Sequence, residues 1–154
     1  MDDLDQSSQL RASFLDYQNS IKLEDFHYVK DLGQGKYGKT SLVAYKDTNL
    51  HFALKSVKKS HVSLKEHVNK LFTERDIHFY LKSVFVVKLY CTFVSDQSVY
   101  FLMEYIKAGD ISTYLDRGLQ FTPETTLKIT KQIVLAIEFL HLKDIVHRDL
   151  KPGK

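Results

Sequence analysis

The run Gly33-Gln34-Gly35-Lys36-Tyr37-Gly38-Lys39-Thr40 concentrates three of the chain's six glycines, and the residues on either side of it limit the fold more than any other stretch. Before it, Phe26-His27-Tyr28-Val29-Lys30-Asp31-Leu32 is strand-prone, and after it Thr40 to Tyr45 is again β-branched and apolar. Asp47-Thr48-Asn49 then supplies turn chemistry ahead of Phe52 to Val57. The pattern predicts three consecutive antiparallel strands, the first two joined by a glycine turn. Glycine has no Cβ, so backbone N–H groups in such a turn can approach phosphate oxygens closely.

The same run satisfies two phosphate-binding patterns. As G-x-x-x-x-G-K-T it must open a helix whose N-terminus faces the phosphates, and a dinucleotide-binding G-x-G-x-x-G needs a helix at the same place. The β-prone residues after Thr40 favour a hairpin lid instead, and a P-loop NTPase survives only if that segment is helical. In Phe52-Ala53-Leu54-Lys55, Ala53 and Lys55 share a strand face. A small residue leaves room for a flat base, and an ammonium neutralises phosphate oxygens.

Ser63 is the expected cap of a helix running to about Leu81, with Val68, Leu71, Phe72, Arg75 and Phe79 spaced at three and four. Glu74 lies on it with Leu71 three positions before and His78 four after. An inward carboxylate needs a cation, and Lys55 is the expected one. Two more strands follow, Lys88 to Val94 and Val99 to Glu104, and then the extended connector around Tyr105 and Ile106, whose backbone groups could hold a purine edge. Asp110 is the candidate acceptor from a ribose hydroxyl. A short helical element after Asp110 and a helix from Pro123, capped by Thr122, to about Leu142 complete the elements.

The last residues, His147-Arg148-Asp149-Leu150-Lys151-Pro152, open the pattern H-R-D-L-x-x-x-N. With the glycine run, Lys55, Glu74 and the connector, they make five separated elements in one order. From about Phe26 to Pro152 the chain resembles the eukaryotic serine/threonine protein kinases. The wording Tyr45-Lys46-Asp47-Thr48-Asn49, Val57-Lys58-Lys59, Glu74-Arg75-Asp76-Ile77, Val87-Lys88-Leu89 and Met103-Glu104-Tyr105 is most similar to the cyclic-nucleotide-dependent and protein-kinase-C-like (AGC) branch.

That resemblance implies an α+β fold: a protein-kinase-like small lobe, with a five-stranded antiparallel sheet plus one helix, over 26–103. The hinge and first helices of an incomplete large lobe would occupy 104–154, after a polar tail at 1–25. It implies ATP bound by Leu32, Gly33, Gln34, Gly35, Lys36, Tyr37, Gly38, Lys39 and Thr40 of the lid. Ala53, the ion pair Lys55 and Glu74, Met103, Glu104 and Ile106 of gatekeeper and hinge, and Asp110 complete that set. It makes Asp149 the catalytic base, with Lys151 marking the serine/threonine form of the loop, and a protein the substrate.

Several residues depart from the family pattern: Thr40 for a valine, Ala108 for a hinge glycine, Val84 for a proline, His147 for the branch's tyrosine, and His78 at a usually apolar helix position. Lys154 stands where the pattern puts the magnesium-binding Asn, and no D-F-G follows. Mg2+ belongs to the family's reaction, but its side-chain ligands are missing, so the expectation is a kinase fragment, truncated within the catalytic loop and inactive. The alternative is a nucleotide-binding pseudokinase or interaction module, its partner meeting the exposed apolar face of the large-lobe helix.

Composition excludes other classes. With 22 basic against 19 acidic residues the net charge is only +3, which makes no electrostatic case for nucleic acid or an anionic membrane. No apolar run approaches a bilayer span. The single Cys91 and the acidic start Met1-Asp2-Asp3-Leu4-Asp5 lead to the expectation of a cytoplasmic or nuclear protein.

Overall fold

The structure is a computed structural model that describes residues 21–35, 38–62 and 65–153. Most of the expected tail, the expected cap Ser63, and Lys36, Tyr37 and Lys154 therefore lie outside the described residues. The chain divides into two compact units, one of the residues up to Ser83 with Val87–Tyr105, the other of Val84–Val86 with the residues from Ile106 onward.

The first unit is built on five strands: β1 Phe26–Gln34, β2 Gly38–Tyr45, β3 His51–Lys58, β4 Leu89–Val94 and β5 Ser98–Glu104. All neighbours pair antiparallel, in the order β1-β2-β3-β5-β4. Helix α1, Lys65–Tyr80, connects β3 to β4. This is the five-stranded antiparallel sheet plus one helix expected of the small lobe. The glycine turn is tighter than its sequence suggests: β1 runs two residues past Leu32 because Gly33 and Gln34 pair with Thr40 and Lys39. The β2–β3 turn closes with Asn49 at φ 55°, a left-handed conformation that asparagine tolerates, its N–H donating to the Tyr45 carbonyl at 2.8 Å.

Alternation along the strands gives the sheet two different faces. One is aromatic: Phe26, Val43, Phe52, Leu54, Tyr90, Tyr100 and Leu102 are buried together with Cys91. Ring pairs such as Phe52 and Tyr90, edge to face with centroids 5.3 Å apart, hold it. Burial in this face pushes the Cys91 thiol up to about 12, so it stays protonated and inert. The other face buries Val57, Leu89 and Phe101 beneath Leu71 of α1, Val99 and Met103, and Lys55 lies on it.

The second unit is helical, with α2, Ile111–Asp116, and α3, Pro123–His141. Thr122 caps α3 as expected, its hydroxyl accepting from the Thr125 N–H at 3.2 Å, with Pro123 at the first position. Leu127, Val134, Leu135 and Leu142 on or just beyond α3 are about half to three-quarters exposed. Among the described residues no helix is long and apolar enough to cross a membrane.

Candidate functional site

Cross-strand partners in an antiparallel sheet share a face, so the register itself lays out the site. One row runs Gly33, Thr40, Lys55, Phe101 and Thr92 across all five strands. The next row on that face runs Leu42, Ala53, Met103 and Leu89. The first puts an ammonium beside a glycine and a threonine. The second puts a small buried residue between two long apolar ones.

Lys55 is held at both ends of its reach. Its Nζ lies 2.5 Å from Glu74 Oε1 on α1 and 5.4 Å from the centre of the Phe101 ring, its cross-strand neighbour. Glu74 and Lys55 keep 42% and 29% of their side-chain surface, so the pair is poised at an opening rather than sealed in the core. The expected pairing of these residues, nineteen apart in sequence, is present. Phe101 and Leu42 were not singled out from the sequence, because only the register of β3 against its neighbours places them beside Lys55 and Ala53.

The lid glycines differ in what they accommodate. A Cβ on Gly33 would meet nothing within 4 Å, and one on Gly35 would make only ordinary contact with the Gly38 carbonyl at 3.7 Å. Neither position needs glycine for packing. Gly38 is the opposite case, since a Cβ there would lie 1.9 Å from the Ser56 carbonyl oxygen. The close approach that fixes Gly38 is to β3, so glycine at this position has a packing reason of its own.

Lys39, the lysine of G-K-T, faces away from this site. It neighbours Thr40 and so projects from the aromatic side of the sheet, where its Nζ lies 2.7 Å from Asp31 Oδ1. The segment after Thr40 is a strand, so the helix-opening P-loop reading falls. Leu32, at the bulge between Asp31 and Gly33, is 39% exposed.

The connector is less open than the sequence suggested. The Glu104 N–H donates to the Lys88 carbonyl at 2.8 Å, and the Ile106 carbonyl accepts from the Gly109 N–H at 3.1 Å. Asp110 is also committed locally: its Oδ1 accepts from both the N–H and the hydroxyl of Thr113 at 2.8 Å, capping α2. Asp110 three residues before Thr113 is an N-cap arrangement.

In the second unit, Asp149 Oδ1 pairs with Lys151 Nζ at 3.3 Å, and the Asp149 N–H donates to His147 Nδ1 at 3.3 Å. Between them Arg148 has φ 59°, a left-handed conformation that costs a side-chain-bearing residue about 1 kcal/mol or more. The Pro152 carbonyl accepts from the Ser112 N–H at 3.1 Å, which ties the loop to the start of α2. Strain held in place by such anchoring is typical of loops whose geometry serves chemistry. Among the described residues no group of three or more His, Cys, Asp or Glu could hold a metal ion.

His78 sits four residues after Glu74 and is half-buried. Burial holds its imidazole below the usual 6.5, opposed by Glu74 and assisted by Lys55. Below pH 6.5 the unfolded chain therefore binds a proton that the folded chain refuses, and stability falls as pH drops from 6.5 through the lowered folded value. Above 6.5 the residue contributes no pH dependence. Urea melts of wild type and His78→Leu at about pH 7.5 and about pH 5.5 check this. The wild type loses more stability on acidification than the variant, and equal losses would refute the assignment.

The first unit thus carries a glycine hairpin and a lysine–glutamate pair bridging sheet to helix, and the second carries the His147-Arg148-Asp149 loop. The family model for the protein kinase domain matches residues 16–153. The chain is 39% identical over 132 residues to the serine/threonine-protein kinase CBK1 of Saccharomyces cerevisiae, covering 86% of this chain and 18% of that protein. It is 38% identical over 130 residues to the serine/threonine-protein kinase greatwall of Xenopus tropicalis, covering 84% and 15%. To the cAMP-dependent protein kinase catalytic subunit of Dictyostelium discoideum it is 34% identical over 131 residues, covering 85% and 20%. The chain belongs to the protein kinase family. These relatives are serine/threonine kinases of the AGC type, and the chain spans about a fifth of their length.

Proposed function

We propose that this chain forms the nucleotide-holding part of a serine/threonine protein kinase, with ATP as phosphoryl donor and a protein hydroxyl as acceptor. The observation that carries the reading is the Lys55–Glu74 pair, in one row with Thr40 and the open Gly33. Lys55 would neutralise phosphate oxygens while Glu74 keeps its ammonium in place. The backbone N–H groups of Gly33, Gln34 and Gly35, with those of Lys36, Tyr37, Gly38, Lys39 and Thr40, would lie along the phosphates. Ala53, between Leu42 and Met103, gives a flat base room, with Leu32, Glu104 and Ile106 as the other candidates to border it. Asp110 contributes mainly as the cap of α2.

In the second unit Asp149 is the candidate base that accepts the proton of the attacking hydroxyl, and Lys151 beside it would balance charge on the transferred group. Phosphoryl transfer depends on stabilising negative charge in the transition state. Lys154 brings a cation to the position where the family pattern has a metal-binding Asn, so a polypeptide of residues 1–154 binds ATP without transferring its phosphate.

Displacement of a fluorescent ATP analogue by ATP tests the binding half. Saturable, competitive binding is expected, and a folded chain that shows none overturns the reading. Phosphate incorporation with Mg2+ tests the other half: none is expected, and incorporation that Asp149→Ala abolishes would show a working kinase. The exposed apolar residues of α3 favour a second reading, a module that docks a protein partner there. Light scattering that stays monomeric at every concentration, with no change in Leu135→Glu, counts against it.

A further inference from the structure

At the base of the lid, on the face opposite Lys55, four side chains form a network that the nucleotide site does not use. Asp31 accepts from the Tyr28 hydroxyl at 2.8 Å and from Ser41 at 3.4 Å, and pairs with Lys39 at 2.7 Å. The Lys39 ammonium also stands 5.7 Å from the centre of the Tyr28 ring. The register shift in β1 between Tyr28 and Lys30 is what brings Tyr28 and Asp31, three apart, to the same side, opposite Val43 and Ser41.

We propose that Asp31 and Lys39 are positioning residues: their ion pair, braced by Tyr28, fixes the register of the glycine hairpin from behind so that its N–H groups meet a bound nucleoside triphosphate. The proposal rests on the nucleotide reading above. The physical need is local. Beyond Asp31 and Lys39, the paired residues are Gln34 opposite Lys39 itself and Gly33 opposite Thr40, and Gly33 contributes no side-chain contact. A strand pair weakly specified at its tip is prone to slip by one residue, and such a slip turns every side chain and every N–H to the other side. A charged pair directly behind the tip opposes that slip. The hydrogen bond from Lys39 lowers the Asp31 carboxyl below its usual range, and the one to Asp31 raises Lys39, so both stay charged across the physiological range.

The test uses the 154-residue chain with Asp31→Ala, Lys39→Ala, and the exchanged pair Asp31→Lys with Lys39→Asp. The Gly35 N–H, bonded to the Gly38 carbonyl at 2.8 Å, reports on the tip by hydrogen exchange without nucleotide. In each single variant, exchange at Gly35 and release of a fluorescent ATP analogue both quicken roughly two- to five-fold, while Tm hardly moves, as befits an exposed pair. The exchanged pair restores both rates, and about 1 M salt brings wild type toward the single variants. A Tm loss that parallels the change in release would make the pair merely structural and overturn the proposal. A wild type that binds ATP, with single variants that release it at the same rate, overturns the positioning role alone. A folded wild type that binds no nucleotide overturns the reading beneath it.

Discussion

Gly38→Ala destabilises the chain by about 3 kcal/mol, the upper end of what overpacking costs, whereas Gly33→Ala, five residues away in the same turn, leaves the melting curve in place. The difference lies in what each Cβ meets. At Gly38 a methyl would stand 1.9 Å from the Ser56 carbonyl oxygen, 2.9 Å from its carbon and 3.1 Å from the Val57 Cα. These are backbone atoms of β3, so no side chain can swing away to relieve the clash. The β2–β3 pairing would have to part where Gly38 opposes Val57, a residue with no exposed surface. At Gly33 the methyl enters open space, and loss of glycine's freedom in the unfolded chain even favours folding slightly. That space lies in the row of Lys55, so Gly33→Ala weakens ATP binding without weakening the fold. Thermal and urea unfolding with a nucleotide titration on both variants decide the matter. Equal melting for wild type and Gly38→Ala would disprove the close approach.

Lys55→Ala lowers ATP affinity by about tenfold to a hundredfold, the range expected on losing a charge-assisted contact to an anion, while the fold survives. The Lys55–Glu74 pair retains a third or so of its side-chain surface, and ion pairs in water contribute little to stability. The same ammonium against a triphosphate faces a concentrated negative charge in a partly enclosed site, where its interaction is stronger. Glu74→Gln should fall between the two: the lysine remains, but without the carboxylate that aims it from α1. Analogue displacement by ATP measures the affinities, and circular dichroism checks that the sheet is intact. If Lys55→Ala binds ATP as wild type does, the ammonium does not meet the phosphates and the functional reading fails with it.

The candidate site residues were legible because the chemistry proposed for each needs a particular side chain at a particular spacing. Glycines in a turn, a lysine two past an alanine in a strand, and His147-Arg148-Asp149 could be read one after another. Strand and helix types were legible too, because alternation and three-to-four spacing are local patterns. Other features were hidden. Asp110, singled out as an acceptor for a ribose hydroxyl, also caps α2, a use the sequence reading did not assign to it. Lys39 looked like the lysine of a phosphate loop, but β-pairing turns it to the far side of the sheet. The register shift between Tyr28 and Lys30 that brings Tyr28 to Asp31 leaves no mark in composition or periodicity.

By itself, the sequence determined which segments are strands and helices, which turn is glycine-built, and to which family the chain belongs, because these depend on residue type and short-range spacing. Only the tertiary structure decided that β5 lies between β3 and β4, that Gly38 packs closely on Ser56, and that Phe101 lies beside Lys55. Those outcomes follow from register between strands distant in the chain, and register is set when two faces with unlike cores, one aromatic and one shared with α1, are buried together.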